Sequence, residues 1–269
     1  MISGATRVFG LIGHPVARSL SPAMHNRWFQ ETGFDGVYVT FDVAPDRSTA
    51  IRGALDTLNI SGANVTVPHK STLIDRLDSS TAMAQGVGAV NVVVRDGARW
   101  IGHNVDGAGF CSGFEAEFGA LHGRRVAVMG VGGAGRAVAA ACALYGAERL
   151  GLFTRDVSRA ADFRERASSL WPTARWDVAS VDEPLAGFDI VIWASSLAAP
   201  ALDLGRCGPD VIACDLNYWD ASSALLGAAR HQGVRTQDGL PMLVHQGALS
   251  YELFTGLRVD PAPVLASFL

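Results

Sequence analysis

The segment Arg125–Val138, RVAVMGVGGAGRAV, constrains the fold more than any other, because it places a buried strand, a glycine turn and a helix start in immediate succession. Val126, Ala127, Val128 and Met129 form the continuous apolar run expected of a strand covered on both faces. Gly130, Gly132 and Gly135 follow in G-x-G-x-x-G spacing. The first glycine suits a tight turn. The second suits a close backbone approach to a pyrophosphate, and the third a close contact of helix with strand. The helix N-terminus then faces the phosphate charge. A helix over Ala134–Tyr145 ending at Gly146, and a strand over Arg149–Thr154, complete a βαβ unit. This is a dinucleotide-binding pattern.

The flanking sequence extends it on both sides. Val8–Gly13 reads as a strand, followed by a loop and a helix from about Pro22, with Ser21 as N-cap and Gly33 as C′ residue. Capping alone explains Ser21 but not Ser19; two hydroxyls beside a helix N-terminus also suit a carboxylate. Strand Gly36–Val43, helix Asp46–Leu58 and strand Gly62–Val67 continue a β-α-β-α-β order, which predicts a second parallel sheet. Asn64 and Thr66 share one face of their strand and lead to Pro68, read as N1 of a helix, and to Lys70. A cation in a first helical turn opposes the macrodipole and needs another reason. Polar groups at a strand's C-terminal end match the ligand crevice of an open α/β sheet. Strands Val90–Val94 and Arg99–His103 flank Asp96-Gly97, a two-residue hairpin signal, and deliver Asn91 and Asp106. Asp106 reads as an N-cap or as a functional carboxylate ahead of the helix bearing Phe110, Phe114 and Phe118.

Beyond Thr154 come helix Ser158–Leu170, strands Asp189–Ala194 and Val211–Asp215, helix Ser222–His231 and strand Val234–Gln237. Thr154-Arg155-Asp156 ends the second strand, where the adenosine ribose is read. Arg155, with Arg159 nearby, suits a 2′-phosphate, and Asp156 a free 2′-hydroxyl; the charges lean to NADP, with NAD as the alternative. The last helix, Leu240–Thr255, carries Met242, Gln246, Leu249 and Leu253 on one face. Gln246 there is either a satisfied core amide or a ligand for hydroxyl groups.

Composition fixes the class of partner. With 22 basic against 26 acidic residues and a net charge of −4, no nucleic-acid surface is expected, and no apolar run reaches bilayer length. Cys111, Cys142, Cys207 and Cys214 show no CxxC spacing, so reduced, mostly buried thiols and a cytoplasmic chain without a structural metal are expected.

Assembled, the motifs SLSPAMHN, GANVTVPHK, GAVN, GHNVDGAGF, GVGGAGRAV, DLNYWD and GLPMLVHQGALSYELFTG resemble the shikimate dehydrogenase family over nearly the whole chain. The resemblance implies an α/β fold of two domains. Residues 1–105 plus 240–269 would form an open, mostly parallel substrate-binding domain, and 106–239 a Rossmann-like doubly wound NAD(P) domain. It implies catalysis by Lys70 and Asp106, with Lys70 as acid/base and Asp106 orienting it. The implied substrate pocket comprises Ser19, Ser21, Asn64, Thr66, Asn91, Tyr218 and Gln246. Gly133, Ala134, Gly239 and Met242 join Gly130, Gly132, Gly135, Thr154, Arg155, Asp156 and Arg159 around the cofactor. The implied reaction is reversible NADP-linked exchange between shikimate and 3-dehydroshikimate, by a monomer or homodimer acting on a small cyclic hydroxy acid. A quinate/shikimate or aminoshikimate relative preferring NAD, and a catalytically silent ligand-binding homologue, are the alternatives. Val92 and Val105 stand where the family usually has Thr, and Trp193 where it has a small amide; Ala198-Ala199 replaces a glycine-methionine pair.

Overall fold

Two six-stranded sheets organise the chain in the computed structural model, which describes residues 2–195, 197–218 and 223–269. The chain divides into two compact units, one of residues 1–105 with 244–269 and a second of 106–243.

The first unit runs β1 (Arg7–Gly13), α1 (Ser21–Thr32), β2 (Gly36–Asp42), α2 (Ile51–Thr57), β3 (Gly62–Val65), α3 (Lys70–Leu73), β4 (Ser79–Ser80), α4 (Ala82–Val87), β5 (Val92–Asp96) and β6 (Arg99–His103). Its sheet order is β2-β1-β3-β5-β6-β4. β1 pairs in parallel with β2 and β3, whereas β5 runs antiparallel to β3 and to β6 through the expected Asp96-Gly97 turn. Ile12, Leu55, Val65, Leu73, Val93 and Trp100 lie in its core.

Several local expectations change. Ser21 is the first helical residue rather than the N-cap, a position held by Leu20 without a side-chain cap bond. The helix expected over Asp46–Leu58 is a 3₁₀ turn, Pro45–Ala50, followed by the shorter α2. Ser48 turns its hydroxyl back to the Pro45 carbonyl at 2.7 Å, a local bond that competes with helical propagation. Pro68 does not start α3, which begins at Lys70 after a turn closed by His69 N–H donating to the Thr66 carbonyl.

The second unit runs α5 (Asp106–Phe118), β7 (Arg125–Met129), α6 (Gly133–Leu144), β8 (Arg149–Thr154), α7 (Val157–Leu170), β9 (Arg175–Ser180), β10 (Ile190–Trp193), β11 (Ile212–Asp215), α8 (Ala224–His231) and β12 (Arg235–Gln237). The order is β12-β11-β10-β7-β8-β9, with every pairing parallel. Strand order therefore reverses between β7 and β10, the switch point where open α/β sheets bind ligands. Ser222, expected to start α8, lies outside the described residues, and Ser223 caps that helix.

α9 (Leu240–Thr255) leads back into the first unit, which α10 (Ala262–Ala266) completes. Its most buried face is not the expected Met242–Leu253 stripe but Val244, Gly247, Tyr251 and Phe254. Gly247 lies on this face, where the end of the Met24 side chain of α1 reaches its bare backbone and a methyl would displace it.

Candidate functional site

In the first unit, five of the expected substrate residues belong to polar structure at the C-terminal side of β1 and β3, in two groups: Ser19 with Ser21, and Asn64 with Asn91 and Gln246. The Ser19 hydroxyl accepts the Ser21 backbone N–H at 3.2 Å, which accounts for Ser19 structurally, while Ser21 is buried at the start of α1. Asn91 is 2% exposed; its amide donates to Gln246 Oε1 at 3.3 Å, and its Oδ1 accepts the Val105 N–H at 2.8 Å. Asn64 ties this pair to the core. Its amide nitrogen donates to the Asn91 carbonyl (3.3 Å) and to Ser250 Oγ (2.8 Å), and its Oδ1 accepts from the Tyr38 hydroxyl (2.8 Å). Both amide protons of Asn64 are thereby engaged, which makes it a support for the neighbouring amides. Ser250 completes the chain by donating to the Gln246 carbonyl at 2.8 Å. Sequence reading missed Ser250 and Tyr38; a serine within an apolar helical stretch was the available signal.

Lys70 joins the same region through its backbone. Its carbonyl accepts the Val90 N–H at 2.9 Å, one residue before Asn91. Thr66 N–H continues the β1 ladder to the Ile12 carbonyl at 2.8 Å, so Thr66 and Lys70 bracket a single turn. Val92 is fully buried in β5, opposite Asn64 and His103, and Val105 contributes its N–H rather than its side chain. Burial holds the His103 imidazole below its ordinary pKa.

In the second unit the three glycines of the turn differ in backbone geometry and in the room beside them. Gly130 adopts φ 108° at the end of β7 and donates to the Phe153 carbonyl at 2.8 Å, and a side chain there would meet the Ala194 backbone at 3.1 Å. Gly132, the N-cap of α6, has open space on its Cβ side. A methyl on Gly135 would overlap the Gly130 carbonyl. Gly133 and Ala134 form the first turn of α6 with no acidic residue in it. Thr154 ends β8 and accepts the Asp156 N–H at 3.2 Å. Asp156 is the N-cap of α7: its Oδ1 accepts from Ser158 Oγ at 2.7 Å and from the Arg159 N–H at 3.1 Å. These bonds, the Ser158 hydroxyl first, hold its carboxyl below the usual carboxylate range. Arg155 and Arg159 are exposed beside it. Arg136, buried within α6, has its guanidinium pKa pushed down by burial and then by the nearby charges of Arg159 and Arg166. The residues present therefore fit a dinucleotide with an additional phosphate: a bare-backbone cradle, a helix N-terminus and a cationic border.

The ends of β10, β11 and β12 are also tied together. Asp215, 2% exposed, accepts from the Asn217 N–H (3.0 Å), the Asn217 amide (2.9 Å) and the Ser223 hydroxyl (2.7 Å). Asn217 also reaches the Ser195 carbonyl, and a methyl on Gly239 would overlap the Leu216 carbonyl. Tyr218 follows, half-buried; Trp219 and Asp220 of its motif lie outside the described residues, as does Ser196. Trp193 packs against the core of this unit and its indole N–H donates to the Leu197 carbonyl at 2.8 Å. Met242 is half-buried in α9. Asp106, 4% exposed, opens α5, and Gly107 beside it lies against the Ala137 carbonyl, where a methyl would overlap. Lys70 belongs to the first unit and Asp106 to the second.

Cys111, Cys142 and Cys214 are buried and Cys207 half-buried, all as free thiols. Burial pushes the Cys111 and Cys214 thiols well up and Cys207 to about 11. No group of three or more ligating side chains able to hold a metal occurs among the described residues. No described helix is long and apolar enough to cross a membrane.

Comparison with known proteins gives a consistent result. Residues 11–93 match the family model of the shikimate dehydrogenase substrate binding domain, and 239–267 that of the shikimate 5′-dehydrogenase C-terminal domain. The chain is 36% identical over 271 residues to a shikimate dehydrogenase (NADP(+)) of Geobacter metallireducens, covering 97% of this chain and 95% of that protein. A crystal structure of a shikimate dehydrogenase in complex with NADP+ superposes with a TM-score of 0.91 at 32% identity, covering 99% and 96% of the two chains. The Thermus thermophilus shikimate 5-dehydrogenase in complex with NADP(H) and shikimate gives 0.84 at 32% identity, covering 97% and 98%.

Proposed function

The chain belongs to the shikimate dehydrogenase family, and on that premise we propose that it interconverts shikimate and 3-dehydroshikimate with NADP. The first unit takes the cyclic hydroxy acid through Ser19, Ser21, Thr66, Asn91 and Gln246, with Asn64 supporting them; Tyr218 is the remaining substrate residue, and the second unit takes the cofactor. The observation that carries this reading is the Lys70 turn, bonded through Val90 to the buried Asn91–Gln246 amide pair. That arrangement puts an amine on the same scaffold as two amides suited to hydroxyl groups.

When bound, NADP supplies the redox chemistry, with the hydride exchanged at its nicotinamide. Gly130, Gly132, Gly133, Ala134 and Gly135 would hold its pyrophosphate, Arg155 and Arg159 its 2′-phosphate, and Thr154, Gly239 and Met242 the remainder. Asp156, the residue that favoured NAD, is occupied as a helix cap. Lys70 exchanges the proton: in reduction its ammonium donates to the oxygen of the ring carbonyl, and in oxidation its amine receives the hydroxyl proton. Asp106 is the second residue of the proposed catalytic pair. We also assign the enzyme to the cytoplasm, a reading supported by four cysteines without CxxC spacing, and to a monomer or homodimer.

Steady-state rates with shikimate and quinate, each with NADP and NAD, test the reading. The expected result is the highest kcat/KM for shikimate with NADP. A preference for quinate with NAD would overturn the substrate and cofactor assignments. Calorimetric binding of shikimate without turnover at any pH would overturn the activity.

A further inference from the structure

The helix that Lys70 opens is one α turn, Lys70–Leu73, continued only by a 3₁₀ turn, Ile74–Arg76, and too short to hold its own shape. The residue before it supplies the anchor. His69 is fully buried, and its ring reaches back past the end of β2: Nε2 lies 2.7 Å from the Val43 carbonyl and Nδ1 2.7 Å from Ser48 Oγ. A carbonyl only accepts, so Nε2 is the donor of the first bond. The backbone of the same residue closes the turn. Its N–H donates to the Thr66 carbonyl at 3.0 Å, and its carbonyl accepts from the Leu73 N–H at 3.0 Å and the Thr72 hydroxyl at 3.2 Å. With Nε2 donating, Nδ1 is the acceptor, and the single Ser48 hydroxyl proton is shared between it and the Pro45 carbonyl, which also lies 2.7 Å from Oγ inside the 3₁₀ turn. Filling this space would need only an apolar ring, whereas two polar anchors on one buried side chain also fix its direction.

We propose that His69 is a positioning residue for the reaction, acting with Ser48 and the Val43 carbonyl as a strut that fixes where the Lys70 side chain leaves the backbone. The strut secures the turn on its β2 side, and the bond from Val90 N–H to the Lys70 carbonyl secures it on its β5 side. Between them the amine's point of origin is held to the chain just after β2 and just before β5, the strands that flank β1 and β3 in the sheet. The inference rests on Lys70 being the acid/base of the proposed function. A misplacement of a catalytic group by about 1 Å costs on the order of a hundredfold in rate, so the chemical step depends strongly on such a strut.

The test compares His69→Phe, His69→Gln and Ser48→Ala with the wild type in kcat, in KM for shikimate, and in amide hydrogen exchange over residues 66–73. His69→Phe keeps the ring volume and removes both bonds. It is expected to lower kcat by about tenfold or more while KM moves by less than about threefold. His69→Gln, whose amide nitrogen can replace Nε2 as donor to Val43, is expected to recover part of kcat; Ser48→Ala is expected to lose less than His69→Phe. Exchange over 69–73 is expected to speed up in the order of the kcat losses. Retention of kcat within about twofold in His69→Phe, or an equal loss in the Phe and Gln variants, would overturn the proposal. If His69→Phe does not fold, Ser48→Ala and His69→Gln carry the same comparison. Absence of shikimate turnover in the wild type sinks the functional reading instead, whereas unchanged exchange in the variants sinks the strut.

Discussion

At the scale of single residues, chemistry and stability are carried by different groups. Replacing Lys70 by Ala removes the proton-exchanging amine but leaves the Val90 bond, which uses the Lys70 carbonyl. The expected loss in kcat is on the order of a hundredfold, with a much smaller change in the calorimetric Kd for shikimate. Equal losses in both would reassign Lys70 to binding. His25 bears on stability. It is fully buried, stacked on Tyr38 at 4.3 Å and edge-on to Trp28, and neither ring nitrogen has a hydrogen-bond partner among the described residues. Burial lowers its pKa from 6.5 to about 3. The folded state therefore rejects a proton that the unfolded chain accepts below about pH 6.5, so this contribution to stability is present above that pH. It falls away as the pH drops from 6.5 towards 3. Between pH 7.5 and 5 the loss is about 2 kcal/mol from this group. Urea unfolding of wild type and His25→Phe at both pH values checks it: the variant should show a shallower fall, and identical pH slopes would remove His25 as the cause.

At the scale of elements, legibility followed the length of the pattern. The β7 turn and α6 were legible because their glycines answer to backbone geometry: φ 108° at Gly130, and no room for a methyl at Gly135. Gly135→Ala should accordingly force β7 and α6 apart. Overpacking of this kind costs about 1–3 kcal/mol, read as a drop in Tm, together with a weaker Kd for NADP. A variant with wild-type Tm and Kd would show that the turn can relax. The elements left unread, α4, β4, β9 and α10, span from two to six residues, too few for a helical or strand period to declare itself. α1 was displaced by one residue because Ser21 looks like a cap, whereas Leu20 holds that place and Ser19 takes the Ser21 N–H. The face of α9 was misread because Gly247 and Ser250 count as non-hydrophobic in a pattern, yet they admit Met24 and hold Asn64. The candidate substrate residues could be named from motifs; their connections could not, since Tyr38, Asn64, Asn91, Gln246 and Ser250 are separated by up to 186 positions within a bonded pair.

At the scale of the whole molecule, two units with separate buried cores carry separate parts of the proposed chemistry, which makes their responses to ligands separable. A ligand that binds only the folded state stabilises it by RT ln(1 + [L]/Kd), about 2.7 kcal/mol at a hundredfold excess over Kd, and the protection is greatest where the ligand restrains the backbone. With NADP alone, amide exchange should slow at the β7–α6 turn, where the Gly132 N-cap offers no side-chain acceptor to the start of α6, and over residues 154–159, which carry Arg155 and Arg159. With shikimate alone it should slow around Ser19–Ser21, the Thr66–Lys70 turn and the middle of α9 near Gln246. Both experiments read binding rather than turnover, so they remain informative for variants at Lys70 or Asp106. Protection by shikimate confined to residues 106–243, or by NADP confined to 1–105, would reverse the assignment of ligands to units even if the enzyme proved active. Protection in the expected places by both ligands, combined with the kcat loss at Lys70, would tie the amide network of one unit and the glycine turn of the other to a single reaction.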